Sequence, residues 1–411
     1  MDRRSFTHDY SRPGFYHITI RVADGQGRPF GTVVGHDADS AAVALTPLGV
    51  SIERELLTAI TAHYPMVTVD AYVVMPEHLH FILVIRDPIV TAAGRPAHLG
   101  QVIAGFKKGC NRRYWALQAG EPLDALSAAA ASAAVSPAAS AAPPAAFAAP
   151  PAASAAVSPA AFAVSAPGGL PAGVRPPSSG SSGRAPLFAP GYCDVMPVDP
   201  GQLELQRAYI RNNPHSRWLR SQHRDRLQPH RAAIDTALTP AALRGYLLRE
   251  CAPTQATPAA LAALECRLLL AGGTVACDSY GDRALLQRRL LPVVCHRRDG
   301  ARFAEQRRRC LAAASEGAVL VSPRIARGEQ TIIDEAVHHG YPAILIADNG
   351  FPVLYHPSAE HIALCAARRL LLVTPWQYEF RHQDDPITVP ICKTMNCVAQ
   401  SLCRLKDSWW Q

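Results

Sequence analysis

Two histidines one residue apart, His78 and His80, begin an apolar, β-branched run, HLHFILVI. In an extended strand successive side chains alternate between faces, so both imidazoles project from one side and Leu79 from the other. Neighbouring imidazoles can hold a divalent cation and leave positions open for a third protein ligand and for substrate oxygens, as a Lewis-acid site requires. Taken alone, such a pair on a strand is more often two ordinary polar side chains on an exposed sheet face.

A nucleophile of suitable type stands much later, in YIRNNP, Tyr209 to Pro214. On a helix Tyr209 lies one turn before Asn213, so the two side chains share a face. An amide oxygen is a reasonable ligand for magnesium or manganese, and Asn213 could equally cap the helix end. Tyr209 could also be an amphipathic core residue. Cations flank these groups: Lys107, Lys108, Arg112 and Arg113 in FKKGCNRRYW, and Arg207 and Arg211 beside the tyrosine. They are candidate phosphate contacts, with a solvated basic helix face as the bland alternative for each.

The run VVMPEHLHFILVI resembles the signature of the HUH endonucleases through Met75, Pro76, His78, Leu79 and His80, and YIRNNP resembles the nucleophile motif of the REP-associated single-tyrosine transposases. Both motifs occur in the family's order, with the basic segment between them. The resemblance implies a ferredoxin-like or RRM-like antiparallel sheet carrying a site for Mg2+ or Mn2+ at His78, His80 and Asn213. It also implies Tyr209 as the nucleophile that opens single-stranded DNA beside a hairpin, leaving a 5′-phosphotyrosine and a free 3′-hydroxyl. Such a covalent intermediate conserves the phosphodiester energy, so strand transfer can follow. No partner base for the phenol is evident in the sequence. Two other readings compete: a domesticated hairpin-DNA-binding protein that does not transpose, and a metal-dependent nuclease in which water attacks.

The elements that must position these groups can be read from periodicity. Phe15 to Val22 reads as a strand, Leu48 to His63 as an amphipathic helix, Val67 to Met75 and His78 to Ile85 as two strands joined at Pro76 and Glu77, and Ala97 to Leu117 as a basic helix. That order, β, α, β, β, α, predicts an antiparallel sheet covered by helices on one side, an α+β domain. Gly201 to Asn212 reads as a helix stopped by Pro214, because the residue before proline is pushed out of the α region.

Between the two motifs, residues 124–184 are almost entirely Ala, Pro, Ser and Gly, which predicts a disordered insertion within the catalytic domain rather than between domains. The domain then comprises 1–123 and 185–225, and closing a long flexible loop costs little more than closing a short one. The tyrosine helix could therefore dock on its own histidines or on those of a second chain, which leaves a homodimer open. Helical segments follow over 226–275 as a connector. From 276 to 411, strands such as LLPVVC, GAVLVS, PAILIA and RLLLVT alternate with helices such as Ala301 to Glu316 and Gln330 to His339, predicting a parallel, Rossmann-like α/β domain. Its stretch from Gly317 to Gly350 resembles nucleotide-binding folds of the DNA-processing protein type, with Ser322, Gly328 and Glu329 at a strand-to-helix crevice. No complete GxGxxG or Walker sequence accompanies it, so an accessory DNA- or protein-binding role is the expectation.

Composition agrees without deciding the matter. In 411 residues the formal net charge is +8, suited to a protein drawn weakly towards polyanions. The 11 cysteines lack a repeating spacing, no apolar leader opens the chain, and Cys392, Cys397 and Cys403 lack close CxxC pairing, so reduced thiols in a bacterial cytoplasm, near the nucleoid, are expected rather than structural zinc. No apolar run approaches the roughly 18 residues of a membrane span.

Overall fold

The structure is a computed structural model that describes residues 8–91, 94–121, 184–197, 200–295, 300–353, 355–380 and 387–411. It is a mixed α+β chain forming two compact units that divide between Trp218 and Leu219. The insertion expected over 124–184 lies outside the described residues except for Arg184.

The first unit is built on β1 (Gly14–Arg21), β4 (Val67–Met75), β5 (His78–Ile85) and β6 (Cys193–Val195), with a small hairpin of β2 (Gly31–Val34) and β3 (Ala42–Leu45) beside them. The four strands form one antiparallel sheet in the order β4-β5-β1-β6. Helix α1 (Pro47–His63) follows β3, and α2 (Leu99–Gln118) follows β5. Thr46 caps α1 by accepting a hydrogen bond from the Gly49 N–H at 3.1 Å, and Pro47 occupies the first turn, where its missing N–H costs nothing.

Strand alternation divides this sheet chemically. Leu79, Phe81, Leu83 and Ile85 of β5 join Tyr16, Ile18 and Ile20 of β1 and the buried faces of α1 and α2 in one apolar core. Each such side chain contributes about 1.5–3 kcal/mol on burial. The intervening residues, among them His17, Thr19, His78, His80 and Ile82, point to the other face. A Glu55–Arg113 pair at 2.7 Å, with both side chains about nine-tenths buried, crosslinks α1 to α2. Gly109 leaves room for this pair, since a Cβ there would force the Glu55 carboxylate to shift.

Residues from beyond the insertion complete the same core. Leu187 and Phe188 are buried in it, the Leu187 N–H donates to Asn111 Oδ1 at 2.8 Å, and β6 adds the strand beside β1. Helix α3 (Pro200–Arg211) then crosses the second face of the sheet, packing Leu203 and Ile210 on Ile82 with Ala71 and Val73 alongside. The sheet is thus covered on both faces rather than on one. This helix ends at Arg211, but not for the expected reason: Asn213, the residue before Pro214, is itself helical and opens another helix, α4 (Asn213–Gln222), with Pro214 in its first turn, where a missing N–H costs nothing.

The second unit holds a mixed sheet in the order β10 (Leu290–Pro292), β11 (Val319–Ser322), β12 (Ala343–Ile346), β13 (Leu370–Thr374), β9 (Thr274–Gly281) and β7 (His230–Asp235), with the short β8 (Leu270–Ala271) paired to β9 beside that path. Strands β10, β11, β12 and β13 run parallel, as their alternation with α7 (Gly300–Ser315), α8 (Arg327–His338) and α9 (Ala359–Ala366) requires. Strand β7, which falls inside the segment expected to be a helical connector, and β9, which begins at that connector's end, extend the sheet antiparallel at one edge. Helices α5 (Pro240–Glu250), α6 (Pro258–Arg267) and α10 (Val389–Cys403) pack into the same core through Leu243, Leu247, Leu261, Leu264, Met395 and Val398. They belong to this unit rather than connecting to it. No helix among the described residues is long and apolar enough to cross a membrane.

Candidate functional site

The second face of the first sheet gathers three histidines and a tyrosine. β5 supplies His78 and His80, whose ring centroids lie 4.8 Å apart. β1 supplies His17 and Thr19; in the antiparallel register Thr19 stands opposite His80 and Arg21 opposite His78. α3 supplies Tyr209, whose ring meets His80 edge-on at 5.2 Å and lies 6.0 Å from His17. The phenol and the histidines belong to one chain, although some 130 residues of sequence, including the alanine- and proline-rich stretch, separate them.

The hydrogen bonding is directional. His80 is buried, and its Nδ1 lies 2.9 Å from Thr19 Oγ1 and 3.3 Å from His17 Nε2. With Nδ1 engaged in this way, Nε2 is the ring nitrogen suited to ligating a metal, because a ligating imidazole ordinarily hands its other nitrogen to a supporting partner. His78 has an analogous neighbour: its Nδ1 lies 3.7 Å from Glu77 Oε1. Burial pushes the His17 imidazole down to about 4, so it is neutral near pH 7.

Two ion pairs dock the tyrosine-bearing segment. Arg207 on α3 grips Asp70, at the irregular position of β4, with Nε and Nη2 each 2.7 Å from a carboxylate oxygen, and it also pairs with Glu204. Arg217 on α4 reaches Glu77 Oε1 at 2.9 Å. The Trp218 indole N–H adds a hydrogen bond to the Gly35 carbonyl at 3.2 Å.

His78, His80 and Tyr209 therefore converge. Asn213 opens α4 one turn beyond the tyrosine. Among the described residues, no three His, Cys, Asp or Glu side chains form a metal cage, and His17 directs Nε2 at His80 rather than at a common centre. The donor set fits a cation held by two imidazoles, with oxygen donors completing the shell.

The predicted phosphate contacts fare differently. Lys107 donates from Nζ to the carbonyls of Ala189 and Gly191, at 2.5 and 2.8 Å, so its ammonium ties α2 to the segment after the insertion. Burial lowers it to about 8. Arg113 is committed to Glu55, and Arg207 to Asp70 and Glu204. Lys108 and Arg112 are exposed, but α2 packs on the face of the sheet opposite the histidines, so neither can touch a phosphate held at His80. Arg211 is exposed two residues after Tyr209 and keeps its candidacy.

Sequence reasoning missed His17, Thr19 and Arg21. The signal was in FYHITIRV, where His17, Thr19 and Arg21 alternate with Tyr16, Ile18 and Ile20. Only the pairing register shows that this polar stripe adjoins His80. Arg21 is exposed, projects from the histidine face by strand parity and stands across from His78, a better-placed cation than those on α2.

The crevice residues of the second unit are occupied internally. The buried Glu329 carboxylate accepts from the N–H groups of Ile325 at 2.8 Å and of Ala326 and Cys295, each at 3.2 Å, filling the strand-to-helix turn where a phosphate would otherwise sit. Ser322 donates to the Val293 carbonyl at 3.0 Å, and a Cβ at Gly328 would collide with Cys295 Sγ. All 11 cysteines are free thiols; Cys392, Cys397 and Cys403 lie on α10.

Searched against known proteins, the chain matches no family model, no curated protein and no solved structure.

Proposed function

We propose that this protein is a single-strand DNA endonuclease and strand transferase of the HUH type, with the Tyr209 hydroxyl as nucleophile. The observation that carries this reading is the phenol lying edge-on against His80 in the same chain. Hairpin binding alone needs neither paired imidazoles nor a phenol beside them. The β-α-β-β-α-β order of β1, α1, β4, β5, α2 and β6, with strand order β4-β5-β1-β6, supports a ferredoxin-like assignment for the first unit. The parallel block of the second unit supports a Rossmann-like accessory domain.

Mg2+ or Mn2+, held by His78 and His80 with the Asn213 amide oxygen as third donor, would supply Lewis-acid polarisation of a non-bridging phosphate oxygen. The chain's own residues do the rest. Thr19 and His17 hold the His80 ring, Arg207 and Arg217 hold the tyrosine segment, and Arg21 and Arg211 bind neighbouring phosphates. The Tyr209 oxygen forms a bond to phosphorus as the bond to the 3′-oxygen breaks; the phenol proton leaves to solvent and the departing oxygen gains one. The products are a 5′-phosphotyrosine and a free 3′-hydroxyl, and attack by a 3′-hydroxyl of another strand reverses the step and joins DNA. The substrate class is hairpin-flanked single-stranded DNA in a bacterial cytoplasm.

Labelled hairpin DNA incubated with the protein and Mn2+ tests this. A covalent adduct that survives denaturing electrophoresis and disappears in Tyr209→Phe is the expected result. Cut product without an adduct would instead assign a water-using nuclease, and binding without cutting a hairpin-binding protein.

A further inference from the structure

The turn between β4 and β5 is the dipeptide Pro76-Glu77, in which the proline carbonyl accepts from the Phe30 N–H at 3.2 Å and the Glu77 carbonyl from the Val22 N–H at 3.0 Å. Backbone anchoring on both sides gives the Glu77 side chain a defined origin. Its Oε1 has two neighbours from separate parts of the chain: Arg217 of α4 at 2.9 Å, and Nδ1 of His78 at 3.7 Å. The longer gap exceeds a direct hydrogen bond, and a small rotation of the ring or one bridging water would close it.

We infer that Glu77 is a positioning residue: its carboxylate fixes the His78 ring with Nδ1 protonated and Nε2 turned towards the metal position, while its ion pair with Arg217 makes that orientation depend on docking of the tyrosine-bearing segment. The inference rests on the nuclease reading of the site and adds a coupling within it. A carboxylate behind a ligating imidazole fixes its tautomer and raises its basicity. For His80 that duty falls to neutral groups, Thr19 and His17, so the two ligands are supported by different chemistry. Arg217 lies eight residues beyond Tyr209 and Glu77 immediately precedes His78, so a single carboxylate spans the two halves of the site.

Two readouts test this on the full-length protein: the tautomer of His78 from ring 15N shifts of the metal-free protein, and Mn2+ affinity by calorimetry. In the wild type, His78 should be the Nδ1–H tautomer. Glu77→Gln should mix the tautomers and weaken Mn2+ binding about 10–100-fold, the range for loss of such a supporting partner, with adduct formation recovering at high Mn2+. Arg217→Gln should likewise loosen the His78 tautomer preference, to a lesser degree than Glu77→Gln, and slow adduct formation at saturating Mn2+; a His78 tautomer and an adduct rate both unchanged in Arg217→Gln overturn the coupling. An Nε2–H tautomer in the wild type overturns the inference, even if Glu77→Gln fails to fold; so does Mn2+ affinity unchanged in a folded Glu77→Gln. Wild-type protein with the expected tautomer but no adduct would sink the nuclease reading instead, so the two failures are distinguishable.

Discussion

The ring of Tyr209 stands edge-on to that of His80, centroids 5.2 Å apart and planes 85° apart, although the two residues lie on opposite sides of the alanine- and proline-rich stretch. The sequence reading left open whether the tyrosine would dock on its own chain or on a second one. Ion pairs from Arg207 to Asp70 and from Arg217 to Glu77, together with burial of Leu203 and Ile210 on Ile82, dock it in its own.

Thr19→Val is nearly isosteric and removes the hydroxyl beside His80 Nδ1. Mn2+ affinity, measured by calorimetry, should fall about 10–100-fold while the thermal unfolding midpoint moves little, because the lost bond orients a ligand rather than supporting the core. Unchanged affinity would mean that His17 alone holds the ring.

Arg21→Gln should weaken binding of single-stranded DNA and flatten the slope of log K against log salt by about 0.7, the release expected for one phosphate contact on a single strand. Lys108→Gln, on the far side of the sheet, should leave the slope within error. The reverse pattern would place the DNA on α2.

What could be read in advance was whatever local pattern determines. Strand parity put His78 and His80 on one face, and helical spacing located Tyr209 one turn before Asn213. The partners of those groups are set by pairing register, which period-two alternation does not reveal: nothing local says that Thr19 stands opposite His80 rather than His78. The basic residues of FKKGCNRRYW misled for a related reason. Lys107 and Arg113 are consumed by Ala189, Gly191 and Glu55, partners 58 to 84 residues away in sequence. Strand β7 is not evident in the sequence because its residues, HRAAID, carry little β-branched signal and gain their place from the sheet edge they complete.

Glu55→Gln leaves the Arg113 guanidinium buried against a neutral amide. Removing one partner of a buried pair costs about 3–5 kcal/mol, which urea unfolding of the first unit should register, whereas a change under 1 kcal/mol would mean that water reaches the pair. The folded fraction should keep its DNA affinity.

His361 gives the second unit an acid sensitivity. Burial first, and the nearby Arg324 second, lower its imidazole to about 4. Between pH 4 and the ordinary value of about 6.5 the unfolded chain binds more protons than the folded one, so stability falls as pH drops through that window. His361→Gln should flatten the dependence of unfolding free energy on pH between 6.5 and 4, by on the order of 3 kcal/mol. A slope identical to the wild type would show that the ring is hydrated.

The most direct measurement of the central claim is to map the covalent linkage. Wild-type protein is trapped with hairpin-flanked single-stranded DNA and Mn2+, digested with nuclease and protease, and read by mass spectrometry. The account predicts a nucleotide 5′-phosphate on the peptide carrying Tyr209 and on no other. A linkage at another residue, or cleaved DNA with every peptide unmodified, would contradict it.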